Sequence, residues 1–192
     1  MCDALKTHEA GARDSPGIVL GGCWAHVFRK FEEAEPDHPE AGLALKWIGE
    51  LYDIDARAGD DLGVRAELRR TESVRVLAEL KAWLWSQAVL KTLSIGKAAG
   101  YAIGNWDRLT RFVQEPRIPP DNNATERAIR GPVVGRKNHY GSKSRRGTEV
   151  AATMYTLLET AKLCGVDPAR YLVEAVQAAD RGEVLFPWQM KG

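Results

Sequence analysis

Apolar residues recur at helical spacing along most of the chain from Leu43 to Val113, and no other feature of the sequence limits the fold as strongly. Side chains four residues apart lie on one face of an α-helix, so Leu43, Trp47 and Leu51 predict a helix with one buried face. Apolar stripes of the same kind predict two further helices. Their residues are Leu77, Leu80, Leu84, Val89 and Leu90 in one helix, and Ala99, Ile103, Trp106, Leu109 and Val113 in the next. Near the C-terminus, Gly165 predicts the end of one more helix, and Asp167-Pro168 predicts the start of another. The sequence therefore predicts a mostly α-helical fold.

Charged side chains between these stripes are expected on the solvent-facing sides of the helices. They include Arg57, Arg65, Arg69, Arg70 and Arg75. The run from Arg65 to Arg75 is also a candidate surface for an anionic partner.

Few segments have the pattern of a β-strand. The apolar run Ile18-Val19-Leu20 lies between glycines and predicts one buried strand. Val133-Val134 follows Pro132 and predicts a short extended segment, and residues 135–143 predict a glycine-containing loop or hairpin. The predicted fold class is thus mostly α with a few short strands.

Composition places the chain among globular proteins, because 44% of its residues are hydrophobic and 28% are charged. A net charge of +1 does not by itself indicate a nucleic-acid partner, so any such argument must rest on local charge. The sequence contains no apolar run long enough to cross a membrane. Three widely spaced cysteines, Cys2, Cys23 and Cys164, fit reduced thiols better than a disulfide framework. We expect a soluble, intracellular protein.

The segment from residue 127 to residue 146 contains no acidic residue and concentrates basic ones. Glycines let a backbone approach a phosphate closely, and arginine forks bind phosphate oxygens. The segment therefore predicts contacts with a nucleic-acid backbone. Its candidate nucleic-acid-binding residues are Arg127, Arg130, Arg136, Lys137, His139, Lys143, Arg145 and Arg146.

Glu126 stands at the start of this basic segment and has two interpretations. It has capping-box spacing from Asn123 and ion-pair spacing to Arg130, which are ordinary structural roles. Alternatively, it is a metal-binding carboxylate, since hard divalent cations prefer oxygen ligands. The structural roles account for Glu126 but not for the absence of acids in the next twenty residues.

Cys23 and His26 have the spacing of half a zinc site. No second pair lies nearby in the sequence, so we interpret His26 as a packed or hydrogen-bonded polar residue.

Three long segments resemble the IS66 family of bacterial insertion-sequence transposases. They are GCWAHVFRKF at 22–31, DNNATERAIRGPVVGRKNHYGS at 121–142 and ETAKLCGVDPARYL at 159–172. The resemblance covers nearly the whole chain from about Gly17. It implies an RNase H-like α/β catalytic fold with a large helical insertion, followed by a small C-terminal helical domain.

The family resemblance also implies a chemistry. Three carboxylates, Asp, Asp and Glu, hold two divalent metal ions, Mg²⁺ or Mn²⁺, for DNA cleavage and strand transfer. Glu126 matches the catalytic and metal-binding Glu. The neighbouring basic residues, Arg127, Arg130, Arg136 and Lys137 among them, match those that meet the DNA backbone.

The sequence also departs from the family pattern. In the family both catalytic Asp residues precede the segment that resembles 22–31, and neither Asp3 nor Asp14 lies in such a motif. We therefore expect a C-terminal part of a transposase that retains only the Glu, does not cleave DNA alone and binds metal weakly.

The resulting domain prediction is a partial catalytic domain at 1–146, with its helical insertion at about 38–115, and a C-terminal helical domain at 150–190. Expected partners are DNA, as transposon ends and target, and full-length transposase or a second copy of the chain, without a membrane. The expected location is the bacterial cytoplasm, at the nucleoid when DNA is bound. The alternative is a non-catalytic helical module that binds DNA or a transposase.

Overall fold

The computed structural model describes residues 20–138 and 144–190, without the side chains at 125, 128, 129, 132 and 136–138. The chain divides into two compact units, residues 1–123 and 124–192. The domain ranges expected from the family resemblance remain a prediction.

α-Helices account for most of the described residues, which confirms the prediction of a mostly α-helical protein. In chain order they are α1 (Trp24–Ala34), α2 (Ala41–Arg57), α3 (Leu62–Leu68), α4 (Val74–Ala88), α5 (Ser94–Gly104), α6 (Trp106–Leu109), α7 (Arg111–Gln114), α8 (Asn123–Asn138), α9 (Arg145–Leu163) and α10 (Pro168–Asp180). A π-helical turn, Arg69–Ser73, joins α3 to α4, and a 3-10 turn spans Pro187–Gln189. No helix in the described ranges is long and apolar enough to cross a lipid bilayer.

The few predicted strands do not occur in the part of the chain that the structure describes. Leu20 has no regular secondary structure, and residues 18–19 of the same predicted strand lie outside the described residues.

The segment predicted as extended chain and loop after Pro132 is helical instead. Residues 133–134 and 135–138 belong to α8, whereas 139–143 lie outside the described residues. The prediction was wrong because it treated Pro132 as the end of a helix. A proline inside a helix costs about 3 kcal/mol, and the hydrogen bonds of the other turns of this 16-residue helix offset that cost.

Helices α1, α2, α4 and α5 enclose the core of the first unit. Trp24, Phe31, Ile48, Leu80 and Ile95 are fully buried there. Aromatic rings meet at the edge of this core, since the Trp83 ring lies 5.7 Å from that of Phe31. Burial of these large side chains stabilises the unit, by roughly 1.5–3 kcal/mol for each fully buried aliphatic or Phe side chain.

The predicted apolar stripes correspond only partly to the buried faces. Leu77 and Leu84 are buried as predicted, but Leu43 remains 46% exposed. The buried face of α2 runs through Ala44, Ile48 and Leu51, so Leu51 is buried as predicted and Leu43 is not on this face.

Helices α9 and α10 form a helical hairpin in the second unit. Ser144 caps α9 by accepting a hydrogen bond from the Gly147 N–H at 3.0 Å. Gly165 has a φ of +72°, the left-handed conformation that ends many helices. Asp167 then caps α10, with Pro168 in its first turn, as the sequence predicts. Tyr171 packs in the small core of this hairpin.

Candidate nucleic-acid and metal-binding site

Glu126 lies in the first turn of α8 and is half-buried. Asp121 organises the start of that helix. Its Oδ1 accepts a hydrogen bond from the Asn123 backbone N–H at 2.9 Å, and its Oδ2 accepts one from Asn123 Nδ2 at 2.7 Å. A carboxylate at the beginning of a helix is stabilised by the unpaired N–H groups there. The sequence analysis did not predict this role for Asp121.

Arg127 and Arg130 follow Glu126 on the same helix, and both are exposed. Residues three or four apart are neighbours on a helix surface, so Arg130 shares a side of α8 with both Glu126 and Arg127. The structure thus places a carboxylate and two guanidinium groups within two turns of one helix. Both arginine side chains are exposed and therefore accessible to a phosphate backbone.

The other predicted DNA-binding residues are less fully described. Arg136 and Lys137 lie at the C-terminal end of α8, but their side chains are not described. His139 and Lys143 lie outside the described residues. These parts of the predicted site stay predictions.

Arg145 and Arg146 begin α9, and both are exposed. Arg145 Nε donates to Glu149 Oε1 at 2.9 Å. Both partners are largely exposed, so the ion pair is worth little and is readily exchanged for a phosphate. Two basic side chains therefore project from the first turn of α9.

The described residues contain no group of three His, Cys, Asp or Glu side chains that could hold a metal ion. Mg²⁺ keeps most of its waters unless several oxygens converge on it. The donor set around Glu126 in the described part of the chain therefore does not fit a Mg²⁺ or Mn²⁺ site. For the same reason Cys23, which is buried just before α1, and His26 do not form a zinc site with further described residues.

Sequence reasoning missed the side chains that hold the segment before α8. Arg69 was expected on a solvated face, yet it is fully buried. Its guanidinium is paired with Asp55 and donates to backbone carbonyls of α7 and of the segment after it. Burial lowers the pKa of Arg69, and Asp55 partly opposes that shift. The expectation was wrong because helical spacing describes contacts near in sequence, whereas Arg69 is buried by residues more than forty positions away.

Tyr52 is a half-buried residue near this segment, and its hydroxyl oxygen is buried. Burial raises the pKa of Tyr52 well above its ordinary value, and the neighbouring Asp121 carboxylate raises it further. The Tyr52 hydroxyl has no hydrogen bond of ordinary geometry among the described residues. Tyr52 therefore stays a neutral phenol beside Asp121.

Comparison with known proteins identifies the family. A profile described as "Transposase IS66 family" matches residues 1–150. The protein y4qI of Sinorhizobium fredii, described as uncharacterized, is 35% identical over 201 aligned positions, which cover 96% of this chain and 37% of y4qI. The uncharacterized proteins y4jD and y4hP of the same organism are each 29% identical, with 97% and 91% of this chain covered and 39% and 36% of those proteins.

The chain thus spans less than two-fifths of the length of these relatives. No solved structure matches it. A family profile that covers 150 of 192 residues is sufficient for the assignment. This chain belongs to the IS66 transposase family.

Proposed function

We propose that this chain forms the Glu-bearing part of an IS66-type transposase and contacts DNA through α8 and the first turn of α9. The observation that carries the proposal is the arrangement on α8, where a half-buried Glu126 is followed by the exposed Arg127 and Arg130. Because the matched family consists of transposases, the anionic partner of these arginines is DNA, as transposon ends and target.

Glu126 is proposed as one of three carboxylates of an RNase H-like active site. Such a site cleaves a phosphodiester with water and then uses the freed 3′ hydroxyl to attack target DNA. Glu126 alone cannot hold a divalent ion tightly, because that requires several converging oxygens. Cleavage therefore needs two further carboxylates, which we expect a transposase to provide in the bacterial cytoplasm, where its DNA substrate lies.

The exposed arginines on α8 contribute to DNA binding by neutralising phosphates and releasing counterions. For duplex DNA, the logarithm of the binding constant falls with the logarithm of salt concentration by about 0.9 per phosphate contacted. Replacing both Arg127 and Arg130 with Gln should therefore make the slope shallower by about 1.8. Fluorescence anisotropy with a short duplex, titrated at several salt concentrations, measures this slope.

Arg181→Gln is the matched control. Arg181 is exposed in the same unit and pairs with Glu183, but it lies outside the basic segment. Its replacement should leave the slope unchanged. Binding that does not depend on salt, or a slope that changes equally in the control, would contradict the proposed phosphate contacts.

The alternative function is a non-catalytic helical module that binds DNA or another transposase chain. One observation favours it. Helix α10 leaves two apolar side chains more than half exposed, Val173 at 57% and Val176 at 59%, three residues apart on one face. Sedimentation velocity of the chain alone, and of the chain mixed with a longer family member, measures whether the chains associate. Association supports the module that binds another transposase chain, and its absence contradicts that function.

A further inference from the structure

Arg69 is the largest charged side chain that the structure buries completely among the described residues. It begins the π-helical turn between α3 and α4, a type of local distortion that is frequent at functional sites. Taking a guanidinium out of water is costly unless ion pairs and hydrogen bonds replace its hydration. The contacts of Arg69 therefore show which groups replace the hydration of its guanidinium.

One side of the Arg69 guanidinium faces Asp55. Arg69 Nε donates to Asp55 Oδ1 at 2.6 Å, and Nη2 lies 2.5 Å from the same oxygen without the angle of a hydrogen bond. The other side faces the backbone of α7 and of the segment after it. Nη1 donates to the carbonyls of Phe112 at 2.6 Å, Ile118 at 2.9 Å and Glu115 at 3.3 Å. One side chain thus contacts three backbone carbonyls between residues 112 and 118, from α7 into the irregular segment that follows it.

The composition of this segment explains why a side-chain donor is needed. Residues 115–122 include three prolines, which have no N–H group, and no helix covers them. The last carbonyls of α7 also have no partners within their own helix. Buried carbonyls without donors are unfavourable, and Arg69 supplies a donor to those of Phe112 and Ile118 with one planar group. The Glu115 carbonyl also accepts a hydrogen bond from the Ile118 N–H at 3.0 Å.

Two further contacts extend the attachment toward α8. Arg65 Nη1 donates to the Pro116 carbonyl at 3.4 Å. The Trp24 backbone N–H donates to the Pro120 carbonyl at 3.0 Å. The segment is thus held against the rest of the first unit from residue 112 to residue 120, immediately before Asp121 accepts its hydrogen bonds from Asn123.

We infer that Arg69, held by Asp55, is a positioning residue for the backbone at 112–118, the segment through which the chain leads toward α8 and Glu126. Its relevance to the candidate site rests on the proposed catalytic role of Glu126. Arg69 touches neither DNA nor Glu126 in this assignment and acts through the backbone. The helical region at 38–115 contains both Asp55 and Arg69, so its role in this inference is to hold the backbone at 112–118.

The test measures the mobility of the fixed segment in the whole 192-residue chain by ¹⁵N relaxation, without DNA. The reporting amides are those of Arg117, Ile118, Asp121 and Asn122. In the unaltered chain these amides should have order parameters of about 0.85, typical of rigid backbone. In Arg69→Met and Arg69→Lys they should fall below about 0.6, while the amides of α2 and α4 keep their rigid values.

Arg69→Lys is the decisive variant, because lysine retains a charge for Asp55 but cannot reach three carbonyls. If Arg69 only stabilises a buried ion pair, the segment stays rigid in this variant. Asp55→Asn provides a second test if the Arg69 variants do not fold, since it releases the guanidinium without removing it. Arg70→Met is the matched control, as Arg70 is the next residue and is exposed with Glu67 as its partner.

The inferred role of Arg69 is wrong if the segment keeps its high order parameters in folded Arg69→Lys. It is also wrong if the order parameters of α2 and α4 fall as much as those of the segment. Neither result affects the proposed function. Loosening of the segment in Arg70→Met would overturn the role of Arg69 as well. Salt-dependent DNA binding by the unaltered chain is measured separately, and its absence overturns the proposed function and with it the role of Glu126. Loosening confined to the segment, together with DNA binding, supports both.

Discussion

Two glycines of α5, four residues apart, have opposite surroundings. A Cβ atom on Gly96 would lie 2.0 Å from the Leu90 carbonyl oxygen, which is a backbone atom and cannot rotate away. A Cβ atom on Gly100 would meet nothing within 4 Å. Gly96 thus allows the turn before α5 to approach the helix, whereas Gly100 has no such role.

We predict that Gly96→Ala and Gly100→Ala change stability in opposite directions. Overpacking costs about 1–3 kcal/mol, so Gly96→Ala should lower the free energy of unfolding by about 1–3 kcal/mol or more. At an exposed helical position, alanine is favoured over glycine by up to about 1 kcal/mol, so Gly100→Ala should raise it. Urea denaturation followed by circular dichroism measures both, and equal effects of the two substitutions would contradict the assigned contact.

Neighbouring arginines show what residue-level patterns predict and what they leave open. Arg69 and Arg70 were both expected in water, and only Arg70 is exposed. The pattern near Arg69 contains nothing that distinguishes it. Its burial depends on Phe112 and Ile118, which are 43 and 49 residues away, and such contacts become visible only when the helices are packed.

The ends of helices agree with the sequence prediction where the sequence contains clear capping residues. Gly165, Asp167 and Pro168 predicted the end of α9 and the start of α10, and the structure confirms both. Proline inside α8 predicted the opposite of what occurs, because one unfavourable residue competes with many favourable turns. The candidate site followed the same division, since the place of Glu126 near a helix start was accessible from sequence and the contacts of Arg69 with residues 112–118 were not.

The cap of α10 permits a test within one helix. Asp167 Oδ1 accepts a hydrogen bond from the Arg170 N–H at 2.8 Å. Asp167→Ala should destabilise α10 by about 1 kcal/mol, because an N–H group loses its partner. Asp180→Ala at the other end should not destabilise it, since a negative charge is unfavourable near a helix C-terminus. Hydrogen exchange of α10 peptides compares the two variants, and faster exchange in Asp180→Ala alone would refute the assignment.

At the scale of the whole molecule, the two units carry different parts of the proposed function. The first unit contains the buried Asp55–Arg69 pair, and the second contains Glu126 with the exposed basic residues of α8 and α9. The chain matches only 36–39% of the length of its relatives. Binding to DNA and cleavage of DNA are therefore separable predictions for these 192 residues.

We predict that the 192-residue chain binds duplex DNA but does not cleave it. Two-metal cleavage requires carboxylates that hold both ions at the scissile phosphate, and one carboxylate leaves a divalent ion largely hydrated. Supercoiled plasmid incubated with the chain and Mg²⁺ or Mn²⁺ should therefore be nicked no more than with the metal alone. Glu126→Gln tests the site, and Glu149→Gln, an exposed acid in the first turns of α9, is the control. Metal-dependent nicking that disappears in Glu126→Gln and persists in Glu149→Gln would show that the chain holds a complete active site, and the proposed dependence on further carboxylates would be wrong.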